Sequence, residues 1–92
     1  MIVGFRHKGL RKLFEDDDRS KLPPDFVERI RDILTALDSA KGPEEMDLPN
    51  FRLHALKGDL KGYWAVTVRA NWRIIFRIDD GEVSAVDLVD YH

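Results

Sequence analysis

Tyr63-Trp64-Ala65-Val66-Thr67-Val68-Arg69-Ala70-Asn71-Trp72-Arg73-Ile74-Ile75-Phe76-Arg77-Ile78-Asp79-Asp80-Gly81 is the stretch on which the fold turns. Trp64, Val66 and Val68 alternate with Tyr63, Ala65 and Thr67, and Trp72, Ile74, Phe76 and Ile78 alternate with Arg73, Ile75 and Arg77. A period of two marks strands with one buried face. Ala70-Asn71 and Asp79-Asp80-Gly81 are tight-turn signals. Residues 82–89 then form a last strand, and Arg52 to Leu56 a candidate strand before the pair. The expected product is an antiparallel meander.

Upstream, the period lengthens to that of a helix. Ile2 to Phe5 is a short apolar run fit for an N-terminal strand. His7 to Asp16 carries Leu10, Leu13 and Phe14 at spacings of three and four. Its acidic end, Glu15-Asp16-Asp17-Asp18, lies at the negative pole of the helix dipole, which predicts fraying. Ser20 to Pro23 reads as a loop. A second helix begins near Pro24, where a missing N–H costs nothing. Its stripe is Phe26, Ile30, Ile33, Leu34 and Leu37. Gly42-Pro43 is its stop signal, and residues 44–50 read as a loop. The expectation is α+β: a single domain over 1–92, with an N-terminal strand and two helices packed on one face of a small antiparallel sheet. The other face stays partly open, and a site can form there.

The 92 residues include no cysteine, which rules out disulfides, a thiol nucleophile and cysteine zinc sites. No apolar run approaches the roughly 20 residues that span a bilayer. Met1-Ile2-Val3-Gly4-Phe5-Arg6 lacks the plan of a signal peptide, so the expected location is the cytoplasm, with no membrane partner. The net charge of -2 hides a segregation. Arg6, Lys8, Arg11 and Lys12 stand without an acid among residues 1–12. Arg52, Lys57, Lys61, Arg69, Arg73 and Arg77 face one acid, Asp59, across residues 51–78. Fields decay within about 8 Å in physiological salt, so local sign decides what an anionic ligand meets.

Alternation puts Arg73 and Arg77 opposite the apparent core, on the open face, where an arginine on a rigid strand can hold a phosphate by two contacts. His54 shares strand parity with Leu56, and Lys57 begins the loop Lys57-Gly58-Asp59-Leu60-Lys61-Gly62, which lacks the glycine spacing of a Walker motif. The last strand runs straight into Asp90-Tyr91-His92, a tyrosine able to stack or donate and a histidine able to exchange a proton. His7, His54 and His92 show no metal-site spacing with the acids, so no metal and no cofactor is expected. Metal-free RNA cleavage needs a base for the ribose 2′-OH, cations for the phosphoryl charge and an acid for the leaving 5′-oxygen. Histidines, a lysine, an arginine and a tyrosine supply all three.

Those segments also resemble a known family. His7-Lys8-Gly9-Leu10, Leu53-His54-Ala55-Leu56-Lys57-Gly58, Gly62-Tyr63-Trp64, Val68-Arg69-Ala70-Asn71-Trp72-Arg73-Ile74 and Asp90-Tyr91-His92 resemble the HigB toxins of the RelE-like superfamily. The resemblance implies an endoribonuclease that cleaves mRNA in the A site of the translating 70S ribosome. It implies a HigA-like helix-turn-helix antitoxin, through which operator DNA is bound only indirectly. It assigns catalysis to His54, Lys57, Arg73, Asp90, Tyr91 and His92. Arg6, Lys8, Arg11, Lys12, Lys61, Arg69 and Arg77 are the candidates for RNA or ribosome contact. Two rival readings are a ParE-like gyrase inhibitor of the same fold and a non-catalytic RNA- or protein-binding module.

Overall fold

The meander forms as its alternation requires. The computed structural model describes residues 1–90. In it β1 (His54–Ala55), β2 (Trp64–Arg69), β3 (Trp72–Asp79) and β4 (Glu82–Asp90) lie side by side in chain order. Every pairing is antiparallel. Val66, Ile74, Phe76, Val83, Val86 and Leu88 enter the main core on one face. Asp80 and Gly81 join β3 to β4 with φ of 53° and 78°. Two positive φ angles make this the hairpin turn whose twist matches the strands, and they explain the glycine.

The N-terminal strand is a correction in degree. Ile2 and Phe5 make only isolated parallel bridges, to Val83 and Val86. The cause lies in β4. There the register slips between Ile75 and Arg77 of β3, and Ala85 takes a φ of 54°. This bulge turns the Val86 carbonyl outward to accept from Arg6 N at 2.8 Å and His7 N at 3.3 Å. The edge is therefore covered by a bent segment that delivers Arg6 beside the sheet.

Two helices cover the core face. In α1 (Lys8–Asp16), His7 is the N-cap, and its Nδ1 accepts from Leu10 N at 3.2 Å. Gly9 is required by that cap, since a Cβ there would lie 2.9 Å from His7 Cε1. His7→Ala should therefore lower stability by about 1 kcal/mol, read as a drop in melting temperature, while His7→Asn restores most of it. The acidic end of α1 is capped, where the sequence predicted fraying. Asp17 adopts a left-handed φ of 55° and donates its N–H to Leu13 O at 3.1 Å. Its carboxylate meets Arg31 at 2.6 Å. The hydroxyl and N–H of Ser20 hold the Asp18 carboxyl below the usual carboxylate range.

A 3₁₀ turn at Pro24–Phe26 leads into α2 (Val27–Ser39), which buries Val27, Ile30, Ile33, Leu34 and Leu37. Pro43 does more than stop that helix. It opens another 3₁₀ turn, Pro43–Met46, that seats Met46 in the core. No helix among the described residues is long and apolar enough to cross a membrane.

Candidate active site

The face opposite the helices carries its own small floor. Leu56, Ala65 and Ile75 are buried there, with Leu60, Tyr63 and Val89 packed around them. Leu60 comes from the loop after Lys57, which folds as a 3₁₀ turn over Gly58–Leu60. A glycine-rich, charged loop thus lays one apolar side chain on the sheet and leaves Lys57 and Lys61 exposed at its ends.

Register gathers two of the expected catalytic residues, His54 and Arg73, on this face. His54 pairs with Ala65, Ala65 with Ile75, and Thr67 with Arg73. His54, Ala65, Thr67, Arg73 and Ile75 therefore share one side of the sheet. Strand spacings near 4.8 Å and a two-residue repeat near 6.8 Å put the Cα atoms of His54 and Arg73 about 12 Å apart. Between them on that face stand the small side chains of Ala65 and Thr67. Lys57 follows at the end of the same edge, one residue past Leu56, whose N–H donates to Tyr63 O at 3.0 Å.

Arg73 is held in one orientation. Its Nη1 donates to Ala70 O at 2.6 Å and Trp72 O at 3.3 Å, carbonyls of its own hairpin turn. Its Nε is buried and finds no acceptor among the described residues. A buried N–H left without an acceptor costs about 1–3 kcal/mol. Here it belongs to a guanidinium already anchored through Nη1.

His54 is likewise oriented from the backbone. Its Nδ1 lies 3.1 Å from Arg52 O. A carbonyl accepts only, so Nδ1 carries the proton and Nε2 keeps its lone pair. Arg52 takes a φ of 53°, and that turn shortens the expected Arg52–Leu56 strand to the two residues of β1. A clamp that sequence reasoning missed holds the segment. Arg29 of α2 donates Nη2 to Asn50 O and, at 3.1 Å, to Thr67 O, and its Cζ sits 4.9 Å above the Phe51 ring. Thr67 N in turn donates to Phe51 O at 2.7 Å. Arg29→Met should cost about 1.5–3 kcal/mol by urea titration and should lower activity in the folded protein, because the approach to His54 loses its anchor.

The other expected residues divide. Arg6 and Arg77 converge on Tyr63: Arg6 Nη1 donates to its hydroxyl at 3.4 Å, and Arg77 Cζ lies 5.6 Å from its ring centroid. Lys8, Arg11 and Lys12 line the exposed side of α1, Lys12 within 3.8 Å of Asp16. Arg69 pairs with Trp72, on the parity of the helix-covered face, and stands 3.8 Å from Asp25. Asp90 also pairs with Trp72, so it has the opposite parity from Arg73 and lies three strands from His54. Tyr91 and His92 lie outside the described residues. Among the described residues no group of three histidine or acidic side chains is placed to hold a metal ion.

Comparison with known proteins matches this frame along its length. Over residues 3–92 the chain fits the model of the HigB-like toxin family, described as the RelE-like toxin of the type II toxin–antitoxin system HigB. It is 47% identical over 92 residues to Endoribonuclease HigB of Proteus vulgaris, covering 100% of both chains. It is 34% identical over 83 residues to a HigB toxin of Vibrio cholerae serotype O1, covering 88% of this chain and 87% of that one. A chain in the solved YoeB–YefM complex from Staphylococcus aureus shares the fold, with a TM-score of 0.64 at 18% identity over 100% of this chain and 95% of that one. The α+β architecture read from the sequence is thus that of RelE-like toxins, and the chain belongs to the HigB-like family of type II toxin–antitoxin systems.

Proposed function

We propose that this toxin is an endoribonuclease that cuts mRNA in the A site of the translating ribosome by acid–base chemistry of its own side chains, without a metal. The endoribonuclease class is supported by the full-length relative of that name. The mechanism rests above all on one observation: an Arg73 anchored through Nη1 shares one face of the sheet with His54, whose Nδ1 is turned to a backbone carbonyl. His54 takes the proton of the ribose 2′-OH. The 2′-oxygen attacks the adjacent phosphorus, and the bond to the 5′-oxygen breaks, leaving a 2′,3′-cyclic phosphate. Arg73 and Lys57 stabilise the charge gathering on the phosphoryl oxygens. His92 protonates the departing 5′-oxygen, and Tyr91 orients the phosphate or a base. Asp90 suits the partner of His92 better than that of His54, given the two strands that lie between Asp90 and His54.

The ribosome and mRNA are the substrates of this reading, and a HigA-like helix-turn-helix antitoxin is the regulatory partner. Operator DNA would be met only through the antitoxin, and the compartment is the cytoplasm. Induction for a few minutes followed by mapping of new 5′ ends in cellular transcripts tests it. New ends should appear within translated regions, and His92→Ala should remove them together with growth arrest. Intact transcripts beside inhibited gyrase supercoiling would assign the chain to the gyrase-directed reading instead.

A further inference from the structure

Tyr63 lies on the working face but has no part in the chemistry above. Arg77 reaches it from β3, stacked over its ring. Arg6 reaches its hydroxyl from the segment beyond β4. Two cations far apart in sequence thus meet on one aromatic ring. Lys12, Arg19, Arg31 and Arg69 each have an acidic partner. Among the described residues no carboxylate lies within ion-pair distance of Arg6 or Arg77. Ser84 stands opposite Arg77. The nearest acid by register is Asp79, two residues along β3 on the same side of the strand and paired with Glu82; Asp87, opposite Ile75, has its Oδ1 accepting from Leu88 N at 2.9 Å.

Like charges gathered without a counterion make a site of positive potential that an anion relieves. The Tyr63 hydroxyl accepts from Arg6 and keeps its own O–H to donate. A guanidinium covers one face of the ring, so what the cluster offers a ligand is donors rather than a stacking surface. Arg77 is four residues along β3 from Arg73, about 13 Å away. Stacking on Tyr63 keeps it at that end, too far to share the phosphate that Arg73 holds.

We propose that Arg6, the Tyr63 hydroxyl and Arg77 form a second phosphodiester subsite, which grips a phosphate of the single-stranded substrate flanking the scissile one. It rests on the RNA-cleaving reading for the nature of that strand, and the test separates the two. The probe is a fluorescein-labelled 2′-O-methyl oligoribonucleotide, which lacks the 2′-OH needed for cleavage, titrated with the full chain at several salt concentrations. The double variant Arg6→Met/Arg77→Met should bind about tenfold more weakly at low salt, and its log–log salt slope should flatten by about 0.7, the value for one phosphate on a single strand. Tyr63→Phe, which keeps the ring and the stack, should lose about threefold. An unchanged affinity and slope in the double variant overturns the subsite, as does equal binding of wild type to a duplex of the same length. Strand binding that depends on the two arginines, together with uncut transcripts on induction, leaves the subsite standing and removes the ribonuclease reading.

Discussion

Arg73→Ala should lower the rate of mRNA cleavage in a translation extract by about 10²–10³-fold, the usual cost of removing one donor aimed at a developing oxyanion. The loss should fall on kcat, because the proposed role of Arg73 is to meet charge that grows only in the transition state, and a group that binds ground and transition states alike would raise KM instead. The same substitution should leave the melting temperature within a few degrees of wild type. Arg73 Nε makes no hydrogen bond among the described residues. The Ala70 and Trp72 carbonyls that Nη1 serves belong to an exposed hairpin turn, where water can replace it. Arg73→Lys should recover only part of the rate, since an ammonium keeps the charge but not the planar edge. Full-rate cleavage by a folded Arg73→Ala protein would remove Arg73 from the chemistry.

That Arg73 lies on the sheet face opposite the helices was legible in the sequence, because strand parity needs only the neighbours Trp72 and Ile74. The same reasoning does not carry into β4. The bulge at Ala85 puts Val83 and Val86, three apart, on one face. A non-glycine residue with positive φ leaves no mark in composition. Arg52 is the second case: its left-handed turn cuts β1 to two residues and swings its carbonyl to His54. The proline at 43 reads as a helix stop, yet the property that stops one helix suits it to the first position of the next turn, and Met46 is buried as a result. The Arg29 clamp and the meeting of Arg6 with Tyr63 are tertiary contacts that charged side chains make with groups distant in the chain. Periodicity reports which residues leave water. It says nothing about which exposed cation bends back over which ring.

His54→Ala should reduce cleavage by about 10²–10⁴-fold, the span typical for a positioned general base. The pH profile distinguishes that role from a merely structural one. A base works only when unprotonated, so its titration makes the rate fall toward acid pH, while the general acid makes it fall toward alkaline pH. In His54→Ala the acid limb should vanish and the alkaline limb should remain. The free lone pair on Nε2 depends on the Arg52 carbonyl holding the proton on Nδ1, and that contact is backbone in origin. Arg52→Gly should therefore keep the rate near wild type, because glycine takes a φ of 53° without strain and retains the carbonyl. Arg52→Pro fixes φ near −65° and should lose most of the rate while the folded core persists. Loss in both variants would place the Arg52 side chain in the reaction. Loss in neither would mean that the tautomer of His54 is set elsewhere, and the assignment of His54 as the base would then rest on its pH limb alone.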